Sequence, residues 1–318
     1  MFTRILTRQE AGHFLTWPEA VEAIRNGHLL PRPELGDLIL GGGSVGLLNR
    51  AAHINGLGYA VKAETIFEAN AAQGVPSVQG AVLLFDDRTG TLRAIIESSV
   101  VTQFKTVADS LLGASLLARP DARHLVIAGA GVVARDLVQG YATLFPDLDR
   151  ISVWARNPEK ALALVEAAAD IRADLQPVAD LPAALGSADI VASATMARDP
   201  ILKGEWIRPG THVDLIGGFK PEMREADDSL IMRSGIWVDC LATTVDRVGD
   251  LTQPIAAGVI GPQDVRGDLY DLVPLGPTAR RSDDEVTLFK NGGGGHLDLI
   301  IASLIAQKLT AQASSCGG

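Results

Sequence analysis

A glycine-rich loop between a predicted strand and a predicted helix constrains the fold more than any other feature. In the segment VIAGAGVVARD, the pattern Gly129-x-Gly131-x-x-Ala134 follows an apolar strand directly and opens a helix. Glycines there permit a tight turn and close backbone approach, and the first N–H groups of the helix are available to a pyrophosphate. The alternative is a glycine turn that only packs helix on sheet, but the flanking strand and helix favour dinucleotide binding.

Strands and helices alternate from residue 121 onward. Predicted strands lie in HLVIAGAG, RISVWAR, ADIVASAT, THVDLIGG and GIWVDC, and predicted helices in VVARDLVQGYATLF and PEKALALVEAAADI. Such alternation is typical of a parallel sheet with helices on both faces. The sequence therefore predicts an α/β fold with a Rossmann dinucleotide-binding domain over residues 120–296.

Residues 1–119 and 297–318 predict a second, α+β domain. TWPEAVEAIRNGHLL carries a helix-start signal, GAVLLFDDRTGTLRAIIESS is typical of a hairpin, and VTQFKTVADSLLGASLLA of a long amphipathic helix. The last segment, GGGGHLDLIIASLIAQKLTAQ, predicts a helix that returns to complete this domain.

Composition excludes several classes of function. The formal net charge of −10 argues against a phosphate-dominated nucleic-acid partner, and aromatic residues make up only 5% of the 318 residues. Two cysteines, Cys240 and Cys316, provide neither a disulfide framework nor a metal-binding spacing, and Cys316 lies in a terminal tail. Charges interrupt the N-terminal segment, and no apolar run reaches membrane-spanning length, so we expect a cytoplasmic protein.

A lysine ends an otherwise apolar strand in NGLGYAVKAET. Leu57, Tyr59 and Val61 alternate with small residues, which predicts a strand packed on both sides. Lys62 follows where such a strand should stay apolar. Lysines at strand ends often extend their ammonium group to solvent, so a solvated lysine is the alternative to a functional one.

Several motifs in one order resemble successive blocks of the ornithine cyclodeaminase/μ-crystallin family. They are GYAVKAE, GVPSVQGAVLLFDDRTGTLRAIIE, VTQFKTVADSLLGASLLARPD, VIAGAGVVA, GTHVDLIGGFKPEMREAD and FKNGGGGHLDL, from about residue 55 to the C-terminus. The resemblance implies a substrate and dimerisation domain, a Rossmann domain and a homodimer formed through the N-terminal domain. Family members act on a C–N carbon α to a carboxylate, next to a nicotinamide.

The resemblance implies which cations act on the substrate. Lys62 matches the family's active-site lysine, which can anchor the substrate carboxylate or hand a proton to the reacting nitrogen. Lys105 stands where the family commonly has an arginine, so a point charge replaces a bidentate fork. A second family arginine has no counterpart near ELGDLIL; Arg50 on a neighbouring strand either supplies that charge or is solvated.

The expected cofactor is NAD(P)H. The second Rossmann strand ends in Ala155 and Arg156 without the usual acid, so Arg156 either accepts a 2′-phosphate, stacks on adenine or is solvated. Gly292 to Gly295 permit close approach to the cofactor or form a hinge, and His296 caps, packs or catalyses. The residues expected to contact the cofactor are Thr106, Gly129, Gly131, Val132, Val133, Arg156, Thr195, Gly217 and Gly293.

The reaction expected is reduction of a small 2-imino acid. Family cyclodeaminases carry an aspartate after Gly-Gly as acid/base, but this chain has Phe219 there, and Asp214 is more typical of a structural residue. Because three cations suit a strongly anionic substrate, iminosuccinate is the first candidate and pyrroline-2-carboxylate the second. The alternatives are an amino-acid cyclodeaminase with an unusual acid/base group and a non-catalytic NAD(P)-dependent ligand-binding protein.

Overall fold

The structure, a computed structural model, describes residues 5–11, 15–42, 44–168 and 170–315. Cys316 lies outside these residues. The strands are β1 (Ile5–Leu6), β2 (Glu34–Gly42), β3 (Val45–Ile54), β4 (Gly58–Phe67), β5 (Val78–Phe85), β6 (Leu92–Glu97), β7 (His124–Ala128), β8 (Arg150–Trp154), β9 (Asp174–Pro177), β10 (Ile190–Ser193), β11 (His212–Leu215), β12 (Ser234–Val238) and β13 (Val286–Lys290).

The α-helices in the described residues contain most of the predicted helical segments. They are α1 (Arg8–Ala11), α2 (Trp17–Gly27), α3 (Ser98–Leu117), α4 (Val132–Leu144), α5 (Pro158–Ala167), α6 (Leu181–Leu185), α7 (Asp228–Arg233), α8 (Leu241–Thr244), α9 (Gly249–Ala256), α10 (Leu269–Leu275) and α11 (Gly295–Ser315). The helix-start signal before α2 is a capping box, in which the Thr16 hydroxyl accepts from the Glu19 N–H and the Glu19 carboxylate accepts from the Thr16 N–H.

The first of two compact units comprises residues 1–108 and 294–318. Its sheet has the order β1-β6-β5-β4-β3-β2, with antiparallel pairing from β2 to β6. Helices α2 and α11 pack so closely that a Cβ added at Gly27 would lie 2.3 Å from Ile300 Cδ1. The predicted hairpin is β5–β6, and α11 belongs to this unit as predicted.

Along most of its strands this sheet is buried on one face only, whereas β2 is largely exposed on both. Along β4, Gly58, Ala60, Lys62 and Glu64 are buried, whereas Tyr59 is 43% exposed. The prediction of a strand packed on both sides is therefore wrong within a single chain. The apolar alternation that predicted it is real, but nothing in the described residues covers the odd-numbered face.

The second unit comprises residues 109–293 and contains the predicted Rossmann fold. Its parallel sheet has the order β12-β13-β11-β10-β7-β8-β9. Strands β8 and β9 are added on one side of β7 and β10 and β11 on the other, so the strand order reverses between β7 and β10. Ligands of such sheets bind at the carboxyl ends of the strands at this reversal. The segments after β7, β10 and β11 are thus placed where a cofactor site is expected.

The boundary between the units falls inside α3, which begins in the first unit and ends in the second. The two compact units meet at residues 108/109 and 293/294, whereas the predicted domain boundaries are at 119/120 and 296/297. The predicted boundaries stay predictions. Among the described residues, no helix combines the length and the apolar character that a bilayer crossing needs.

Candidate active site

Three predicted substrate-binding cations meet on the buried face of the first unit. Asp37, Arg50 and Lys62 are direct cross-strand partners on β2, β3 and β4, so their side chains share one face of the sheet. Lys62 is only 3% exposed and Lys105, on α3, only 4%. Neither lysine extends to solvent, which rules out the solvated-lysine alternative for Lys62.

A carboxylate that the sequence analysis missed joins the two lysines. Asp298, in the first turn of α11, is 1% exposed and places Oδ1 3.3 Å from Lys62 Nζ and 3.2 Å from Lys105 Nζ. Glu64, two residues after Lys62 on the same strand face, places Oε2 3.3 Å from Lys62 Nζ. Burying a charge without a partner is costly, so these carboxylates make the buried ammonium groups possible.

The two lysines have opposite pKa shifts. Burial lowers the pKa of Lys105 to about 8, although Asp298 opposes the shift. Burial also acts to lower the pKa of Lys62, but the carboxylates of Asp298 and Glu64 together raise it above its usual value. Burial opposes ionisation of Asp298, yet the two lysines lower the pKa of this carboxyl below its usual value. Asp298 is therefore a carboxylate at neutral pH, while Lys105 titrates near it.

Arg50 lies in the same cluster, at its edge. Its Nε is 3.9 Å from Asp37 Oδ2, and its charge helps to lower the pKa of both Lys105 and Asp298. The structure thus places Arg50 beside Lys62, as expected for a residue that supplies the missing family arginine; that role stays a prediction.

His296 packs within the first unit. It is fully buried at the start of α11 and meets the ring of His28 edge-on, with 5.4 Å between ring centroids. Burial holds the pKa of His296 well below its usual value, and His28 and Lys105 add to the shift. The imidazole is therefore neutral, and the site's positive charge comes from its lysines and Arg50.

The glycine loop of the second unit fits a pyrophosphate. Gly131 is the N-cap of α4 and provides no side-chain cap, and a Cβ there would meet no atom within 4 Å. Gly129 has φ +126°, and a Cβ there would lie 2.6 Å from the carbonyl oxygen of Ala194. The first N–H groups of α4, beginning with the exposed Val132, are thus open to a ligand, and their contact with the cofactor stays a prediction.

Two further predicted cofactor residues are held together by Glu225. Its Oε1 accepts hydrogen bonds from Ser193 Oγ (2.6 Å), the Thr195 N–H (2.8 Å) and Thr195 Oγ1 (2.7 Å), and its Oε2 accepts from the Gly217 N–H (2.8 Å). One fully buried carboxylate therefore fixes the segments that follow β10 and β11. Gly217 lies so close that a Cβ would be 1.8 Å from the Thr195 carbonyl oxygen.

Glu225 belongs to a buried charge network. Asp250 Oδ1 accepts from the Glu225 N–H at 2.7 Å, and its Oδ2 lies 3.1 Å from Lys290 Nζ. Burial raises the pKa of Glu225 and the nearby Asp250 carboxylate acts the same way, whereas Lys290 opposes the shift. Sequence analysis missed all three residues, because only the fold brings them together.

Asp239 holds the segment that contains the predicted residue Gly293. Its Oδ2 accepts from the Gly293 N–H at 2.5 Å, and Gly293 has φ +74°. That N–H is thus committed to Asp239 rather than presented to a ligand. Thr106, next to Lys105 on α3, is half-buried.

Arg156 lies two residues beyond β8, exposed at the carboxyl edge of the parallel sheet. The same edge contains a cleft of about 600 Å³, whose lining includes Trp154, Leu181, Ile201 and Trp206. This volume is in the range of small-molecule sites and suits one half of a dinucleotide. Together with the open glycine loop, the residues present fit a nicotinamide dinucleotide.

The two residues that bear on cyclodeaminase chemistry are placed very differently. Phe219 is 53% exposed, and its ring cannot transfer a proton. Asp214 is fully buried on β11, and burial raises its pKa to about 7, with Ser110 and Tyr141 as hydrogen-bonding neighbours that oppose the shift. Asp214 therefore serves the interior of the second unit, consistent with the structural role predicted for it.

Comparison with known proteins gives both a family and close relatives. The family model described as "Ornithine cyclodeaminase/mu-crystallin family" matches residues 50–313. A Delta(1)-pyrroline-2-carboxylate reductase of Paracoccus denitrificans is 55% identical over 304 residues, which cover 96% of each chain.

Two solved structures share the fold over nearly the whole chain. The Delta(1)-pyrroline-2-carboxylate reductase of Thermococcus litoralis, in complex with NADH and L-proline, matches with a TM-score of 0.90 and 27% identity over 97% of this chain and 98% of that one. The iminosuccinate reductase of P. denitrificans, in complex with NAD⁺, matches with a TM-score of 0.89 and 24% identity over 98% and 97%. The second likeness shows the fold alone.

Proposed function

Because the chain belongs to the ornithine cyclodeaminase/mu-crystallin family, we propose that it reduces Δ1-pyrroline-2-carboxylate to proline with NADH or NADPH. The chain is an NAD(P)H-dependent imino-acid reductase; the identity of the imine is the proposal. Identity of 55% over 96% of each chain to a reductase of that name supports it.

The charge balance of the cluster around Lys62 and Lys105 supports the choice of substrate. Lys62, Lys105 and Arg50 are matched by Asp298, Glu64 and Asp37, so the three cations do not form an excess of positive charge. A substrate with two carboxylates would bring one more uncompensated negative charge into this buried site than a substrate with one. The cluster thus favours pyrroline-2-carboxylate over iminosuccinate, the reverse of the order that a count of cations alone gives.

The chain's own residues bind, orient and desolvate the substrate. The nicotinamide, when bound, supplies the hydride. The ammonium groups of Lys62 and Lys105 neighbour the same carboxylate oxygen, so they are close enough for one small imino acid to contact both. Because water is excluded there, a charge-assisted hydrogen bond to the substrate carboxylate is stronger than in solvent. Fixed position and low dielectric are the contributions of the protein.

Nicotinamide absorbance with parallel substrates tests the proposal. With NADH and with NADPH, pyrroline-2-carboxylate should be reduced with a kcat/KM at least about tenfold above that for iminosuccinate, formed from oxaloacetate and ammonia; about 1.4 kcal/mol of discrimination suffices for this. The cofactor that gives the higher kcat/KM decides the role of Arg156. Faster turnover of iminosuccinate would contradict the charge argument, and cofactor binding without any oxidation would favour the cyclodeaminase or the binding protein.

We propose further that the uncovered sheet face of the first unit binds a second copy of this chain. This face, opposite to Lys62, carries apolar side chains that are all at least partly exposed: Leu38, Leu40, Leu47, Tyr59, Val61, Leu83, Phe85 and Ile95. A contiguous apolar face of this kind is typical of a protein interface. It is self-complementary in character, as a two-fold homodimer requires.

Charged substitutions on this apolar face should disrupt the dimer. Leu38→Lys/Leu40→Lys, at two positions that are each 52% exposed, should convert a dimer into a monomer at micromolar concentration, as measured by analytical ultracentrifugation. Leu29→Lys, at a position that is 61% exposed but outside the sheet, is the control and should leave the dimer intact. A wild-type monomer, or a double variant that remains dimeric, would show that this face is not the interface.

A further inference from the structure

The two buried lysines differ in the number of carboxylates that face them. Lys62 has two, Glu64 and Asp298, each 3.3 Å from its Nζ. Lys105 has one, Asp298 at 3.2 Å, and it shares that carboxylate with Lys62. No second ion pair of Lys105 occurs within the described part of the chain. The two ammonium groups are therefore held with unequal strength at one site.

We propose that this unequal division makes Lys105 the residue that donates the proton to the substrate nitrogen, while Lys62 stays permanently charged and anchors the carboxylate. The inference deepens the proposed reductase function and rests on it. The family resemblance by itself makes Lys62 the candidate both for anchoring the carboxylate and for donating the proton. The proposal divides these two roles between Lys62 and Lys105.

The groups around Lys105 support this division. The charged residues that act on Lys105 are Arg50 on β3, Lys62 and Glu64 on β4, and Asp298 on α11. His296, also on α11, is close enough for Lys105 to lower its pKa, and its ring meets that of His28 edge-on. Asp109, one turn further along α3, is fully buried. Burial is the largest influence and lowers the pKa of Lys105 to about 8. Lys62, by contrast, has its pKa raised by its two carboxylates. Of these two lysines, Lys105 is therefore the one whose proton can be transferred near neutral pH.

The residue type at position 105 fits the same role. An arginine at position 105 would hold its proton at any physiological pH and could only bind. A lysine that is fully desolvated is the kind of group whose proton becomes transferable. A lysine at this position can therefore act as an acid, whereas an arginine could act only as an anchor.

Every proton in the reduction step proposed for Lys105 is accounted for. When the imine carbon accepts hydride, the C=N π pair moves to nitrogen, an N–H bond of the Lys105 ammonium breaks, and a new N–H bond forms on the substrate. When the product has left and solvent reaches the site again, neutral Lys105 takes up a proton from bulk solvent. The sum is imine plus NAD(P)H plus a proton giving amine plus NAD(P)⁺, with no other oxidant or reductant.

The first test is the pH dependence of imine reduction by the full-length protein. Wild-type kcat/KM should fall as pH rises through about 8, because the protonated form of Lys105 is the active one. Lys105→Arg should lower kcat about 10²- to 10³-fold and lose this alkaline limb, since a guanidinium keeps its proton. Lys62→Arg should retain the limb and mainly raise KM. A wild-type limb in Lys105→Arg, or its loss in Lys62→Arg alone, would overturn the proposal.

The second test reads the lysines without any turnover. The sequence has seven lysines, so ¹³Cε-lysine-labelled protein should give resolvable signals, assigned with single Lys→Arg variants. The signal missing from Lys105→Arg should titrate near pH 8, and in Asp298→Asn it should titrate at lower pH, because Asp298 raises this pKa. Titration of Lys105 above pH 10 would contradict the inference. A correct titration without imine reduction would instead show that the proposed function failed.

Discussion

Lys62→Met is expected to lower kcat/KM for imine reduction about 10²- to 10³-fold, the cost of truncating one partner of a buried charge pair. Methionine keeps the length and the apolar stem of lysine but provides no ammonium for the substrate carboxylate. The Kd of NADH, measured by fluorescence, should stay within about twofold, because the glycine loop belongs to the other unit. Steady-state kinetics and the cofactor titration together check this.

A loss of activity in Lys62→Met must be distinguished from a loss of folding stability, because this substitution leaves Glu64 without the ammonium group of Lys62. Removing one partner of a buried ion pair costs about 3–5 kcal/mol of the free energy of unfolding. The double variant Lys62→Met/Glu64→Gln restores charge balance, so it should recover much of that stability without recovering activity. Lys160→Met, at an exposed position, should change neither. Recovery of activity in the double variant would mean that Lys62 is structural.

Glu225→Gln is expected to weaken NADH binding about 10- to 100-fold. The glutamine has the same shape, but its amide NH₂ must face either the Gly217 N–H or the Thr195 N–H, both of which now donate to the carboxylate. A donor that meets a donor leaves a buried polar group unsatisfied, at a cost of about 1–3 kcal/mol. The segments after β10 and β11 should then separate, and the cofactor site between them should lose its shape.

The matched control is Glu222→Gln, three residues earlier at an exposed position. It removes the same charge without touching either segment, so the Kd of NADH should not change. Thermal unfolding should show Glu225→Gln folded at the assay temperature. Unchanged NADH affinity in a folded Glu225→Gln protein would show that this carboxylate stabilises the second unit without shaping the cofactor site.

Local patterns predicted the second unit well. The spacing of apolar residues differs between the strand before Gly129 and the helix after Gly131. Such a spacing can be recognised within about ten residues. The glycine loop is also local, because its conformation depends on the residues that it contains. The insertion of β13 between β11 and β12 was not predicted, since strand order depends on pairing between distant segments.

The partners of the active lysines were less accessible. Glu64 could have been found, because residues two apart on a strand share a face. Asp298 gave no such signal: it reads as one acid in the first turn of an apolar helix. Similarly, three cations counted from the sequence favoured a dicarboxylate, whereas Asp37 and Asp298 are seen to neutralise them only when β2 and α11 are packed beside β3 and β4.

The sequence by itself determined the Rossmann unit, the glycine loop, the family and the two lysines, because each is encoded in short-range periodicity or in contiguous motifs. Only the tertiary structure decided that Asp298 joins Lys62 to Lys105, that Glu225 ties Thr195 to Gly217, and that one apolar sheet face is left uncovered. The contacts join segments that are far apart in the chain, and the exposure of the sheet face depends on which segments pack against it. Their energies depend on burial and on distance in space, which a linear pattern does not contain.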